Sequence, residues 1–151
     1  MNEELNNLEP KEVFQQFKPI LSVPRPSKKE YRMSEYLEKW GKDRKLETIR
    51  DEVGNIIIRK PATKGMENKK MVCLQAHMDM VCEKNSDKVF DFEKDAIETY
   101  VEDGWLKAKG TTLGADDGIG VASALAILDS KTIEHGDIEC LFTIDEETGL
   151  T

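Results

Sequence analysis

Three short groups in this 151-residue chain have residue types and spacing suited to chemistry: His77-Met78-Asp79, Asp116-Asp117 and Asp145-Glu146-Glu147. An imidazole suits a divalent metal, and a carboxylate beside it can hold the ring from behind. On a strand, a spacing of two sets both side chains on one face. A carboxylate just before a helix can bridge two metals, and the helix N-terminus favours its charge. The combination fits a hydrolytic metal centre. Zinc takes nitrogen and carboxylate oxygen ligands, and two ions about 3.5–4 Å apart can share a bridging carboxylate and a hydroxide. A carboxylate that touches the attacking water rather than the metal serves as general base. Glu146 and Glu147 would point to opposite faces of an ideal strand. Both enter one site only if the strand breaks there, which Thr148-Gly149 permits.

Each group alone has a plainer reading. His-x-Asp also describes a hydrogen-bonded pair, Asp-Asp-Gly an N-cap and turn, and Glu-Glu a solvated strand end. Their places favour a common site. All three fall at strand ends or strand-to-helix loops of one expected sheet, where ligands of open α/β folds gather.

The elements that must position them are legible in periodicity. Residues 9–20 read as a short helix, with Pro10 in its first turn and Val13, Phe14 and Phe17 on one stripe. Pro19, Pro24 and Pro26 open an extended connector. Ser27 and Glu30 spell a capping box for a helix that carries Met33, Tyr36, Leu37 and Trp40 and runs to about Lys45. LETIRD and NIIIRKP flank a turn and read as a hairpin. Residues 71–81 form an apolar run expected to be a central buried strand. Residues 97–108 read as a second hairpin, turning at Asp103-Gly104. The alanine-rich segment 119–130 should be a helix buried against the sheet, and 138–145 another strand. Strand, helix, strand makes a β-α-β unit, so the expected class is α/β with a mixed β-sheet flanked by helices.

Composition narrows the function classes. The 22 basic against 30 acidic residues give a net charge of −8, which argues against nucleic acid and anionic membranes as partners. No apolar run is long enough to span a bilayer, and the acidic, polar start does not read as a signal peptide. Three cysteines, Cys73, Cys82 and Cys140, lack any C-x-x-C spacing. They point away from a disulfide framework and towards a reducing cytoplasm. His77 and His135 are the only histidines. His135 lies in a polar turn and reads as a surface residue.

LQAHMDMV (74–81), KGTTLGADDGIGVASALAIL (109–128) and FTIDEETG (142–149) resemble the di-zinc exopeptidases, the superfamily of carboxypeptidase G, aminoacylase and peptidase T. VGNIIIRKPATKGMEN (53–68), DFEKDAI (91–97) and LSVPRPSKKE (21–30) are similar to its Xaa-His dipeptidase branch. The resemblance runs along nearly the whole chain. It implies a zinc-exopeptidase-like (phosphorylase/hydrolase-like) fold, two zinc ions per site with cobalt or manganese as substitutes, and a small peptide substrate of the carnosine type. It implies that His77 and Glu147 each bind one metal and that Asp116 bridges both. Asp79 would support His77, Glu146 would be the general base, and Asp117 a neighbour only. In the metal-loaded site, the bond between Asp116 and Asp117 is expected to be cis.

The pattern is incomplete. A further carboxylate ligand, a late histidine and the smaller domain used for dimerisation and substrate grip have no counterpart within 1–151. The chain is therefore expected to be the N-terminal part of a catalytic domain, with weak or no metal binding and little activity alone. Two alternatives stand beside this one. The chain could be a non-catalytic association module that pairs through an exposed sheet face, or it could belong to a sister activity such as tripeptide cleavage or deacylation.

Overall fold

Ile56 and Ile58 are fully buried while Ile57 and Arg59 are not, and Ile138, Cys140 and Phe142 alternate in the same way with Glu139, Leu141 and Thr143. Period-two burial of this kind builds a sheet with one face in the core. In the computed structural model, which describes residues 1–150, the elements in chain order are a short 3-10 turn (Glu3–Asn7), α1 (Lys11–Ile20), α2 (Tyr31–Asp43), β1 (Glu47–Arg50), β2 (Ile56–Lys60), β3 (Val72–His77), β4 (Thr99–Glu102), β5 (Trp105–Ala108), α3 (Ala115–Asp129) and β6 (Ile138–Thr143). The main sheet has the order β1-β2-β6-β3, and β4 and β5 form a separate hairpin. β3 and β6 are parallel and joined through α3; the other pairs are antiparallel. The expected mixed α/β class and the β-α-β unit are present.

The helices supply the other half of the core. Phe17 and Ile20 of α1, Met33, Leu37 and Trp40 of α2, and Val121, Leu125 and Leu128 of α3 share one cluster with Ile56, Ile58, Cys140 and Phe142. Burying each such side chain stabilises the fold by roughly 1.5–3 kcal/mol before entropy is counted. The opposite sheet face, with Arg59 paired to Glu47 and Glu139, stays partly open.

Five expectations need correction. Pro19 does not open the connector but lies inside the last turn of α1, which runs on to Ile20, where its fixed φ suits the helix. β3 is an edge strand, not a central one, and Met71 and Val72 are 60% and 52% exposed. Its apolar run looks central because the inward end, Ala76 to Met80, is buried, while the outward end borrows the same residue types. Ser27 and Glu30 do not form a capping box. Glu30 is itself the cap residue of α2 without a side-chain cap bond, and both side chains are drawn towards the site. Asp116 and Asp117 lie inside the first turn of α3, with non-helical backbone angles, rather than in a loop before it. His135 is buried, because its main chain exchanges bonds with Thr63 and its Nδ1 donates to Gly136 O at 2.7 Å.

Candidate metal centre

Strand β3 ends at His77, and Met78 donates to Thr143 O at 2.8 Å, so the chain leaves the sheet beside the end of β6. Asp79 comes next, wholly buried. His77 Nδ1 lies 3.2 Å from Asp79 Oδ1 and 3.0 Å from Asp79 O, so the aspartate holds the ring from behind. On the opposite side, His77 Nε2 lies 2.9 Å from Asp116 Oδ1 and 3.7 Å from Glu146 Oε2. The His77 main-chain N–H donates to Asp117 Oδ2 at 3.2 Å.

The third group reaches the site because the strand does break. β6 ends at Thr143, and Asp145 takes a left-handed φ of 54°. That turn brings the N–H groups of Glu146 and Glu147 onto Asp79, at 3.0 Å to Oδ1 and 3.1 Å to Oδ2. One buried carboxylate therefore orients the histidine and anchors the turn that carries both glutamates. Ser27 Oγ donates to Asp79 Oδ2 at 2.6 Å, and Glu30 accepts the Asp145 N–H at 2.9 Å.

These contacts set the titration behaviour. Burial disfavours charge on His77, but the bond to Asp116 and the charges of Asp79 and Asp117 outweigh it and raise its pKa. Burial alone would raise the Asp79 carboxyl. The bonds from Ser27, Glu146 and Glu147, with His77 adding to them, hold it below its ordinary value. Glu147 is raised by its own burial and by the negative charge of Asp116 and Glu146, against a pull from His77. Crowded carboxylates around one imidazole are a field that attracts a cation.

Ligand atoms of His77, Asp116 and Glu147 all lie within 4.8 Å of one another. A nitrogen and two carboxylates at that spacing fit a zinc-type donor set. The bond from Asp116 to Asp117 is cis. Asp117 points away from the group, onto the His77 main chain. Asp145 joins a second, fully buried set with Glu30 and Asp79. His135 belongs to neither set among the described residues. Arg25, Ser27 and Glu30 also belong to this region, and sequence reasoning does not find them there. The LSVPRPSKKE segment holds all three, but nothing in its spacing reveals that it folds beneath Asp79.

A family model described as peptidase family M20/M25/M40 matches residues 73–150. The chain is 52% identical to the cytosol non-specific dipeptidase of Escherichia coli (strain K12) over 147 residues, which cover 97% of this chain and 30% of that protein. It superposes on the crystal structure of aminoacylhistidine dipeptidase from Vibrio alginolyticus with a TM-score of 0.96 and 52% identity, covering 99% of this chain and 31% of that one. Aminopeptidase PepT from Bacillus cereus shares the fold at 28% identity and a TM-score of 0.71, over 92% of this chain and 37% of that one. The chain thus spans roughly a third of the length of these relatives.

Proposed function

The chain belongs to peptidase family M20/M25/M40, and on that premise we propose that it carries the first metal-binding portion of a zinc-dependent dipeptidase acting on small peptides with C-terminal histidine. The relative from Vibrio alginolyticus is described as an aminoacylhistidine dipeptidase, and the one from Escherichia coli as non-specific. Carnosine-like dipeptides are therefore the first substrates to test, and other dipeptides the next. The observation that carries the reading is the convergence of His77, Asp116 and Glu147 within 4.8 Å.

His77 Nε2 and a Glu147 oxygen would each hold one zinc, and Asp116 would bridge the pair, with cobalt or manganese as substitutes. Bound metal polarises the scissile carbonyl and lowers the pKa of water. Asp79 keeps a proton on His77 Nδ1, which leaves Nε2 free to ligate. Glu146 stands at the exposed rim beside His77, placed to accept a proton from the attacking water and return it to the leaving amine. The N–H bonds from Glu146 and Glu147 to Asp79 fix where both glutamates start.

Residues His77, Asp116 and Glu147 supply two protein ligands per zinc, one short of the usual catalytic set. The remaining ligands and the substrate-gripping domain are assigned to sequence outside 1–151. By itself the chain should bind zinc weakly and leave carnosine intact. Zinc titration by calorimetry, with chromatographic detection of released histidine, tests both points. Robust turnover that disappears in Glu146→Ala would overturn the need for further ligands. The absence of any zinc binding would overturn the site. The cytosol is the assigned compartment, by analogy with the Escherichia coli relative.

A second reading draws on the edge strand. The Cys73 and Gln75 N–H groups face away from β6, and Met71 and Val72 are exposed beside them, a template for pairing with another chain. Self-association that is independent of zinc in size measurements would favour an association module; a zinc-binding monomer would favour the metallopeptidase.

A further inference from the structure

Arg25 is 3% exposed, and its guanidinium donates to main-chain carbonyls. Nη1 reaches Met78 O at 3.0 Å and Asp79 O at 3.5 Å, while Nη2 reaches Gly114 O at 2.6 Å. The first two carbonyls come directly after His77; the third immediately precedes the turn that carries Asp116. We propose that Arg25 is a positioning residue for the metal ligands: its fork ties the Met78–Asp79 segment to Gly114 and so sets the separation of His77 and Asp116. The proposal rests on the metal-site reading above.

Three observations support it. Burying a guanidinium is costly, and packing alone is served as well by an apolar side chain. Here burial pushes the Arg25 pKa down to about 10, against the charges of Asp79 and Asp117 that favour the cation. The α3 start is also shaped around the guanidinium. A Cβ on Gly114 would lie 2.5 Å from Nη2, and one on Gly118 would lie 2.7 Å from it. Finally, the Arg25 main chain is itself fastened to the same segment, since Met80 N–H donates to Arg25 O at 3.1 Å. A planar fork with two nitrogens can span two loops; a lysine ammonium is a single point charge and cannot.

The test compares the chain with Arg25→Lys and Arg25→Gln. Folding is followed by circular dichroism and thermal unfolding, and zinc affinity by competition with a chromophoric chelator. Nitrogen-15 NMR of the His77 ring in metal-free protein gives a readout independent of metal. Both variants should fold, lose about 10- to 100-fold in zinc affinity, and show displaced His77 resonances. A folded variant with unchanged affinity and unchanged His77 resonances overturns the proposal. So does full rescue by Arg25→Lys, because charge rather than the fork would then suffice. If both variants unfold, Arg25 is a determinant of folding and the positioning claim falls. If the wild-type chain takes up no zinc, the metal reading fails separately. The His77 resonances then decide: displacement upholds the link between the two loops, and no change refutes it.

Discussion

Asp79 accepts the Glu147 main-chain N–H at 3.1 Å, so a buried carboxylate at the end of β3 holds the turn that leaves β6. The same side chain accepts from Glu146 N–H and Ser27 Oγ and faces His77 Nδ1. Two parallel strands end side by side, and this one residue joins the two segments that leave them.

Removing that acceptor should therefore cost more than one bond. In Asp79→Ala, two main-chain N–H groups and a hydroxyl lose a charged partner in a buried setting. We expect a loss of about 3 kcal/mol or more in urea unfolding, since each orphaned buried donor costs about 1–3 kcal/mol. Ser27→Ala, which removes one donor and leaves the carboxylate paired, should lose about 1 kcal/mol. Equal losses in the two variants would argue against a hub at Asp79.

Much of this region is legible in the chain, and the unread part has a common cause. His77 and Asp79 carry their meaning in their spacing, and the turn after Thr143 can be anticipated because Glu146 and Glu147 cannot otherwise share a site. Ile56 and Ile58, alternating with Ile57 and Arg59, announce a strand with one buried face. Ser27 misleads because a serine three residues before a glutamate satisfies a local rule, whereas its partner Asp79 is 52 residues away. Arg25 is hidden for the same reason, its acceptors being 53 to 89 residues distant. β3 reads as central because composition reports burial, and burial at one end of a strand resembles burial of the whole.

Gly114 offers a sharp test of the packing around Arg25. Its φ is +71°, and a Cβ would crowd both Arg25 Nη2 and Met80 Sδ. Gly114→Ala should destabilise by about 1–3 kcal/mol, from overpacking on top of a conformation unfavourable to alanine. Gly65 also has positive φ, +88°, but a Cβ there meets nothing within 4 Å. Gly65→Ala isolates the conformational part, and should cost less. Thermal unfolding of both variants separates the two contributions.

The turn between β1 and β2 should contribute a pH-dependent share of stability. Asp51 Oδ1 accepts the N–H groups of Val53, Gly54 and Asn55, and Oδ2 accepts Asn55 Nδ2. Its slight burial acts to raise the carboxyl pKa, but the Asn55, Gly54 and Val53 bonds outweigh it and hold the value below the ordinary one. A depressed folded pKa means that the stabilisation is present above the unfolded value and lost as pH falls through the folded one. Asp51→Ala should cost about 1 kcal/mol at neutral pH, with the gap closing as the solution is acidified below the usual carboxylate range. A gap that stays constant with pH would show that the charge of Asp51 is irrelevant.

The cysteines should separate by reactivity. Cys73 is exposed on the edge strand, whereas Cys140 is fully buried and its thiol is pushed up to about 12 by burial. Thiolate is the reactive form, so a disulfide reagent should modify Cys73 promptly in native protein and reach Cys140 only on unfolding. A thiol whose folded pKa is raised contributes stability below the ordinary value of 9.0, and that stability drains away as pH climbs from there towards the folded value. Cys140→Ala should therefore flatten the alkaline fall in stability, at the cost of a small cavity between its strand neighbours Ile58 and Leu74. Prompt modification of Cys140 in folded protein would contradict the packing of β6.

Zinc affinity should distinguish the residue proposed to bind metal from the one proposed to move a proton. His77→Ala removes the nitrogen ligand at the centre of the group, and should lower affinity by at least about 100-fold, beyond the range for outer partners. Glu146→Gln keeps the shape of a side chain that stands 3.7 Å from His77 Nε2 at the exposed rim and is assigned no metal. Its zinc affinity should stay within a few-fold of the wild type. Calorimetric titration of the two variants beside wild type decides the assignment. Comparable losses would make Glu146 a ligand, and the proton-transfer role would then need another carboxylate.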